Sequence, residues 1–94
     1  MFQTITINLP IDMPASDWEK VSKVYREMDG WIENSEWPCW YGKEGSDRYI
    51  SASAEPSGLL FDGEMEPGLW TAWFTVLCAR LTLALGRPVH DAEM

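Results

Sequence analysis

Residues 69–85 read LWTAWFTVLCARLTLAL, an apolar run with a single charge at Arg80, and this run limits the folds open to the chain more than any other feature. It falls short of the roughly 20 residues that cross a bilayer, and a mid-span arginine is costly there. A helix inside a folded protein is therefore expected. Glu66-Pro67-Gly68 stops the preceding segment, and Gly86 with Arg87-Pro88 supplies the stop signal for the run itself. On a helical wheel Trp70, Trp73, Phe74, Leu77, Leu81 and Ala84 share one face, while Leu69, Ala72, Val76, Ala79 and Leu83 fill most of another. Only Thr71, Thr75, Cys78 and Thr82 make a mildly polar stripe. A helix this apolar has to be covered on more than one side. A sheet can cover one side and a second helix part of another, which leaves a face for a second protein.

The rest of the chain supplies the sheet. Residues 2–9 alternate Ile5, Ile7 and Leu9 with Thr4, Thr6 and Asn8, the period of a half-buried strand. Pro10 and Pro14 break it, and Ser16 followed by Glu19 is a capping-box signature. Trp18, Val21, Val24, Tyr25 and Met28 then recur at helical spacing, with Lys20, Lys23, Arg26 and Glu27 on the other side. This pattern predicts an amphipathic surface helix closed by Gly30. Residues 31–32 and 37–41 are aromatic strand candidates, and Pro38 confines the second to an edge or a bulge. Residues 43–47 read as a hairpin loop into a strand at 48–54, and the EPSG turn at 55–58 leads to a strand at 59–61 that extends toward Met65. The β-α-β-β-β-α order predicts a two-layer α+β fold, an antiparallel sheet with two helices packed on one face. Residues 1–94 are expected to form a single compact domain, with 89–94 as a surface tail.

Charge narrows the function. Seven Lys and Arg against fifteen Asp and Glu give a net charge of −8, the wrong sign for neutralising phosphates. Direct nucleic-acid binding is not expected. Two cysteines, Cys39 and Cys78, lack metal spacing and read as a reduced pair. The start MFQTITINLP lacks the basic and apolar regions of a secretory signal, so a cytoplasmic location with no membrane partner is expected.

Candidate chemistry is sparse. His90 and Asp91 are adjacent and would have to serve Cys39, but neighbours on an extended chain point to opposite sides. WPCW also gives Cys39 none of the basic surroundings that activate a thiol. Asp62, Glu64 and Glu66 alternate, so on one regular strand their carboxylates would face together toward a hard cation. The commoner use of such a row is a solvated strand edge. No serine elbow or glycine-rich phosphate loop occurs, and no catalytic residue, metal or cofactor is expected.

What remains is a pattern of aromatics among carboxylates. Residues 27–42 carry Glu27, Asp29, Glu33 and Glu36, residues 49–79 carry Glu55, Asp62, Glu64 and Glu66, and neither tract contains Lys or Arg. Together they predict an interface of Trp31, Glu33, Glu36, Trp37, Trp40, Tyr41, Asp62, Glu64 and Glu66, an aromatic patch with an acidic rim. Trp18, Trp70 and Trp73 are assigned to the core, while Trp37 and Trp40 are divided evenly between core and interface. The expected protein is small, acidic and non-enzymatic, of the inhibitor, immunity or charge-mimic type, docking on a basic protein partner or on a second copy of itself. Two other classes stay open. One is a small-molecule module or minor enzyme with a pocket between helices and sheet, using Tyr25, Tyr49, Trp40, Cys39 or an acidic residue as polar contacts; the other is a structural subunit of a larger assembly, for instance a viral one.

Overall fold

A computed structural model describes residues 2–92. The elements are β1 (Phe2–Ile7), α1 (Ala15–Glu27), β2 (Cys39–Trp40), β3 (Tyr49–Glu55), β4 (Gly58–Glu64) and α2 (Pro67–Leu85). The four strands form one antiparallel sheet in the order β1-β4-β3-β2, with both helices on one face, as the element order predicts. A Cα radius of gyration of 12.4 Å is that of a compact chain of this length.

Register explains the layering. Ile7 pairs with Leu59, Ile5 with Phe61, Ala52 with Phe61 and Trp40 with Ile50, so these side chains share the face that the helices cover. Onto it α1 buries Val21, Val24 and Tyr25, and α2 buries Trp70, Trp73, Phe74, Leu77 and Leu81. Trp40 is the hub. Its ring centroid lies 4.8 Å from that of Trp73 and 5.0 Å from that of Tyr25, both edge-on, and its indole N–H donates to the Tyr25 carbonyl at 3.0 Å. Each such aromatic pair adds about 0.5–1.5 kcal/mol beyond the area it buries. Gly58 makes the β3–β4 hairpin possible: at φ +136° and against the Ile7 carbonyl, a Cβ has no room there.

Several local expectations are corrected. α1 starts at Ala15 with Pro14 at its cap and no side-chain capping bond, so the Ser16 box is not used; Ser16 already lies inside the first turn. The helix stops at an extended Met28, and Gly30 serves the following turn, where φ is +88° and a Cβ would sit 2.7 Å from the Tyr41 ring. Residues 31–32 form no strand, only a bridge from Trp31 to Trp40. β2 begins after Pro38, which has no N–H to donate to the ladder. Trp18 is half-buried at the edge of the core rather than inside it. α2 starts at Pro67, not at 69, because the Glu66 carboxylate caps it by accepting from the Gly68 and Leu69 N–H groups at 3.1 and 3.3 Å.

The expected C-terminal tail is tied down in part. Val89 is buried, Asn8 and His90 exchange main-chain and side-chain bonds, and the Ala92 N–H donates to the Thr6 carbonyl at 2.7 Å. The segment thereby covers the end of the open edge of β1 at Thr6 and Ile7. Residues 93 and 94 lie outside the described residues.

Candidate functional site: an acidic sheet face

The face of the sheet away from the helices is built from the alternate register positions. Phe2 pairs with Glu64, Thr4 with Asp62, Ser51 with Asp62, Tyr49 with Glu64 and Cys39 with Ser51. No helix lies there, yet Cys39, Tyr49 and Ser51 are buried. The loop holding Glu44 and Gly45 lies against Tyr49, and the loop of residues 33–38 lies against Cys39. Two main-chain bonds, Tyr41 N–H to Gly30 at 2.7 Å and Ile32 N–H to Cys39 at 3.2 Å, fold its two ends together. A Ser35 Oγ to Cys39 Sγ contact of 3.0 Å pins it to the sheet.

Trp37 stands on this loop with 48% of its surface exposed. Beside it runs a groove of about 330 Å³ lined by Trp37, Pro38, Glu44, Ser51, Ser53 and Asp62. Glu36, Lys43 and Glu44 border a second depression on its other side. Burial, then the charges of Glu44, Asp62 and Glu64, push the Tyr49 hydroxyl above its ordinary pKa, so a neutral phenol sits among three carboxylates. Phe2, 57% exposed, ends the row on β1.

Of the nine expected interface residues, Glu36, Trp37, Asp62 and Glu64 gather on this face. The other five do not complete the patch. Trp40 is fully buried in the aromatic core, which corrects its interface assignment. Trp31 is half-buried on Trp40, ring centroids 5.6 Å apart, and its indole N–H donates to Glu33 at 3.1 Å. Tyr41 lines a different groove, between the end of α1 and α2. There its hydroxyl donates to Asp29 at 2.7 Å, and Arg48 lies 4.8 Å from its ring centroid. Burial first and the Asp29 bond second push its pKa up to about 12. Glu66 is occupied as the α2 cap. Phe2 and Glu44 were missed by sequence reasoning: the strand pattern marks Phe2 only as an end residue, and no local signal brings the loop holding Glu44 over β3.

The chemical candidates separate in space. His90 lies beside β1 and Cys39 sits in β2, the opposite edge strand, so they cannot form one centre. The His90 Nδ1 is 2.8 Å from the Asp91 main-chain oxygen. Glu66 has left the strand that carries Asp62 and Glu64, so the expected row of three carboxylates is not formed. Among the described residues no group of three or more His, Cys, Asp or Glu is placed to hold a metal ion. Tyr25 and Trp40 lie between the helices and the sheet while Cys39 and Tyr49 are on the opposite face of the sheet, so these four pocket residues do not converge. A cleft of about 230 Å³ does open between α1 and β3, lined by Trp18, Val21, Tyr25, Ala52, Ala54 and Leu59.

Comparison of the chain with protein-family models, with curated proteins and with solved structures finds no match.

Proposed function

We propose that this protein is an acidic, non-catalytic binding protein of the cytoplasm that docks its helix-free sheet face on a basic surface of another protein. The observation that carries this reading is Trp37, half in water on a pinned loop, next to Glu36, Glu44 and Asp62. An exposed indole beside a groove is a ready anchor for a partner, and tryptophan is among the residues that dominate interface energies. The surrounding carboxylates, on a chain of net charge −8, steer encounter toward positive surfaces. The cytoplasmic assignment is supported by Cys39 and Cys78, both free thiols.

The test compares capture of a basic protein from source-cell extract by the native chain, by Trp37→Ala and by Glu44→Gln/Asp62→Asn. Binding is expected to weaken about 30-fold in Trp37→Ala, the size of a hot-spot loss. The double variant is expected to lose the salt dependence of binding. Retention of the same protein with unchanged affinity by both variants would overturn the assignment.

A second reading has one specific observation behind it. Tyr25, whose hydroxyl pKa is raised by burial, lines the cleft between α1 and β3, which suits a small apolar ligand with one polar group. Thermal-shift screening with small phenols and alcohols, repeated on Tyr25→Phe, tests it. Stabilisation lost in that variant supports the ligand reading.

A further inference from the structure

We propose that a second copy of this chain covers the outer face of α2, the two α2 helices packing antiparallel across a two-fold axis at Val76. On that face Leu69, Val76 and Leu83 recur every seven residues, with Ala72 and Ala79 between them. This is the a/d spacing of a helix-pairing seam, and the alanines let two backbones approach closely. The seam is open: Leu69 is 46% exposed, Val76 45% and Leu83 85%, with Ala72 and Ala79 exposed between them. At 19 residues α2 is also long and apolar enough to cross a bilayer by length and composition, but five large side chains of its other face are buried in the core. A chain of net charge −8 is moreover repelled by anionic lipid.

Local charge favours one orientation of that second copy. Beside the seam lies a groove of about 450 Å³ with Glu27 and Asp29 on the α1 side and Arg80 on α2. Arg80 makes no ion pair among the described residues, while Asp29 is held in place by the Tyr41 hydroxyl. An antiparallel pairing centred on Val76 sets Leu69 opposite Leu83 and Arg80 opposite Ala72, the residue beside which the partner copy's acidic groove wall lies. The two-fold axis makes that contact twice. A parallel pairing instead sets Arg80 against Arg80. The surface is thus complementary to itself in one orientation. It lies on the far side of the sheet from Trp37, so failure of this inference leaves the sheet-face reading standing.

The test is sedimentation of the full chain across the micromolar range, with circular dichroism as the control for folding. The native chain is expected to dimerise reversibly. Val76→Asp, which puts two carboxylates at the axis, is expected to weaken the dimer at least tenfold while the fold is kept, and Arg80→Glu to weaken it less. Orientation is read by oxidative cross-linking in a Cys78→Ser background: Leu69→Cys chains are expected to link to Leu83→Cys chains and not to each other. A native chain that stays monomeric, including one that binds anionic vesicles instead, overturns the proposal. So does a Val76→Asp dimer of unchanged affinity, or Leu69→Cys chains linking to themselves.

Discussion

The two helices lie on the same face of the same sheet and differ in what they turn outward. α1 buries Val21, Val24 and Tyr25 and gives water a charged side, where Lys23 and Glu27 pair at 3.6 Å with both side chains well exposed. α2 buries Trp70, Trp73, Phe74, Leu77 and Leu81, then presents leucine, valine and alanine to the outside as well. Inner faces are equivalent in role because any element of a two-layer domain must cover the sheet. Outer faces carry the distinction between a helix finished by solvent and one that is finished by another molecule.

The contrast breaks most easily in the core. Trp73→Ala is expected to cost about 3–5 kcal/mol, and Trp40→Ala the same, now that Trp40 is a buried hub rather than an interface ring. Val21→Ala on α1 should cost about 2 kcal/mol in the same denaturant titration. Equal costs for Trp73 and Val21 would remove the energetic asymmetry between the helices.

Alkaline titration probes the α1 side, where Tyr25 is buried and Tyr41 bonds Asp29. Both hydroxyls have pKa values raised above the ordinary 10, Tyr25 by burial and Tyr41 to about 12. A raised folded value means that the fold favours the neutral phenol. The stability this contributes is whole below pH 10 and is lost as pH rises from there through the folded values. Tyrosinate absorbance is therefore expected to appear above pH 10 together with the loss of near-ultraviolet dichroism. Ionisation of all three tyrosines well before unfolding would contradict it.

Smaller effects are expected at the helix starts. Glu66→Ala should cost about 1 kcal/mol by uncapping α2, whereas Ser16→Ala at the start of α1 should stay within about 0.5 kcal/mol because no side chain caps that helix. Smallest of all, Lys23→Ala on the exposed face of α1 is expected to change stability by no more than about 0.5 kcal/mol and to leave sedimentation unaltered.

Much of this architecture is legible in local pattern. Ile5 and Ile7 against Thr4 and Thr6 already assign the two faces of β1, and the two apolar faces of α2 are visible on a wheel before any coordinates. Of the candidate interface, Trp37 and the Asp62–Glu64 pair were legible as aromatic and acidic surface. Glu66 was misread because a carboxylate just before Pro-Gly serves a strand row or a helix cap equally well in sequence, and only the turn into α2 distinguishes them. Glu44 was invisible as a site residue because its neighbours, Trp37 and Asp62, come from other segments.

Local pattern alone establishes the element order, the core-facing side of β1, the sheet-facing side of α1, the excess of apolar surface on α2 and the sign of the molecule's field, because each follows from composition or from a repeat of two or 3.6 residues. Three-dimensional packing makes the choice that puts Trp40 inside while Trp37, three residues earlier, stays half in water. That choice depends on where β2 begins after Pro38 and on its pairing with Ile50, and a pairing partner supplied by a distant strand leaves no trace in the local pattern.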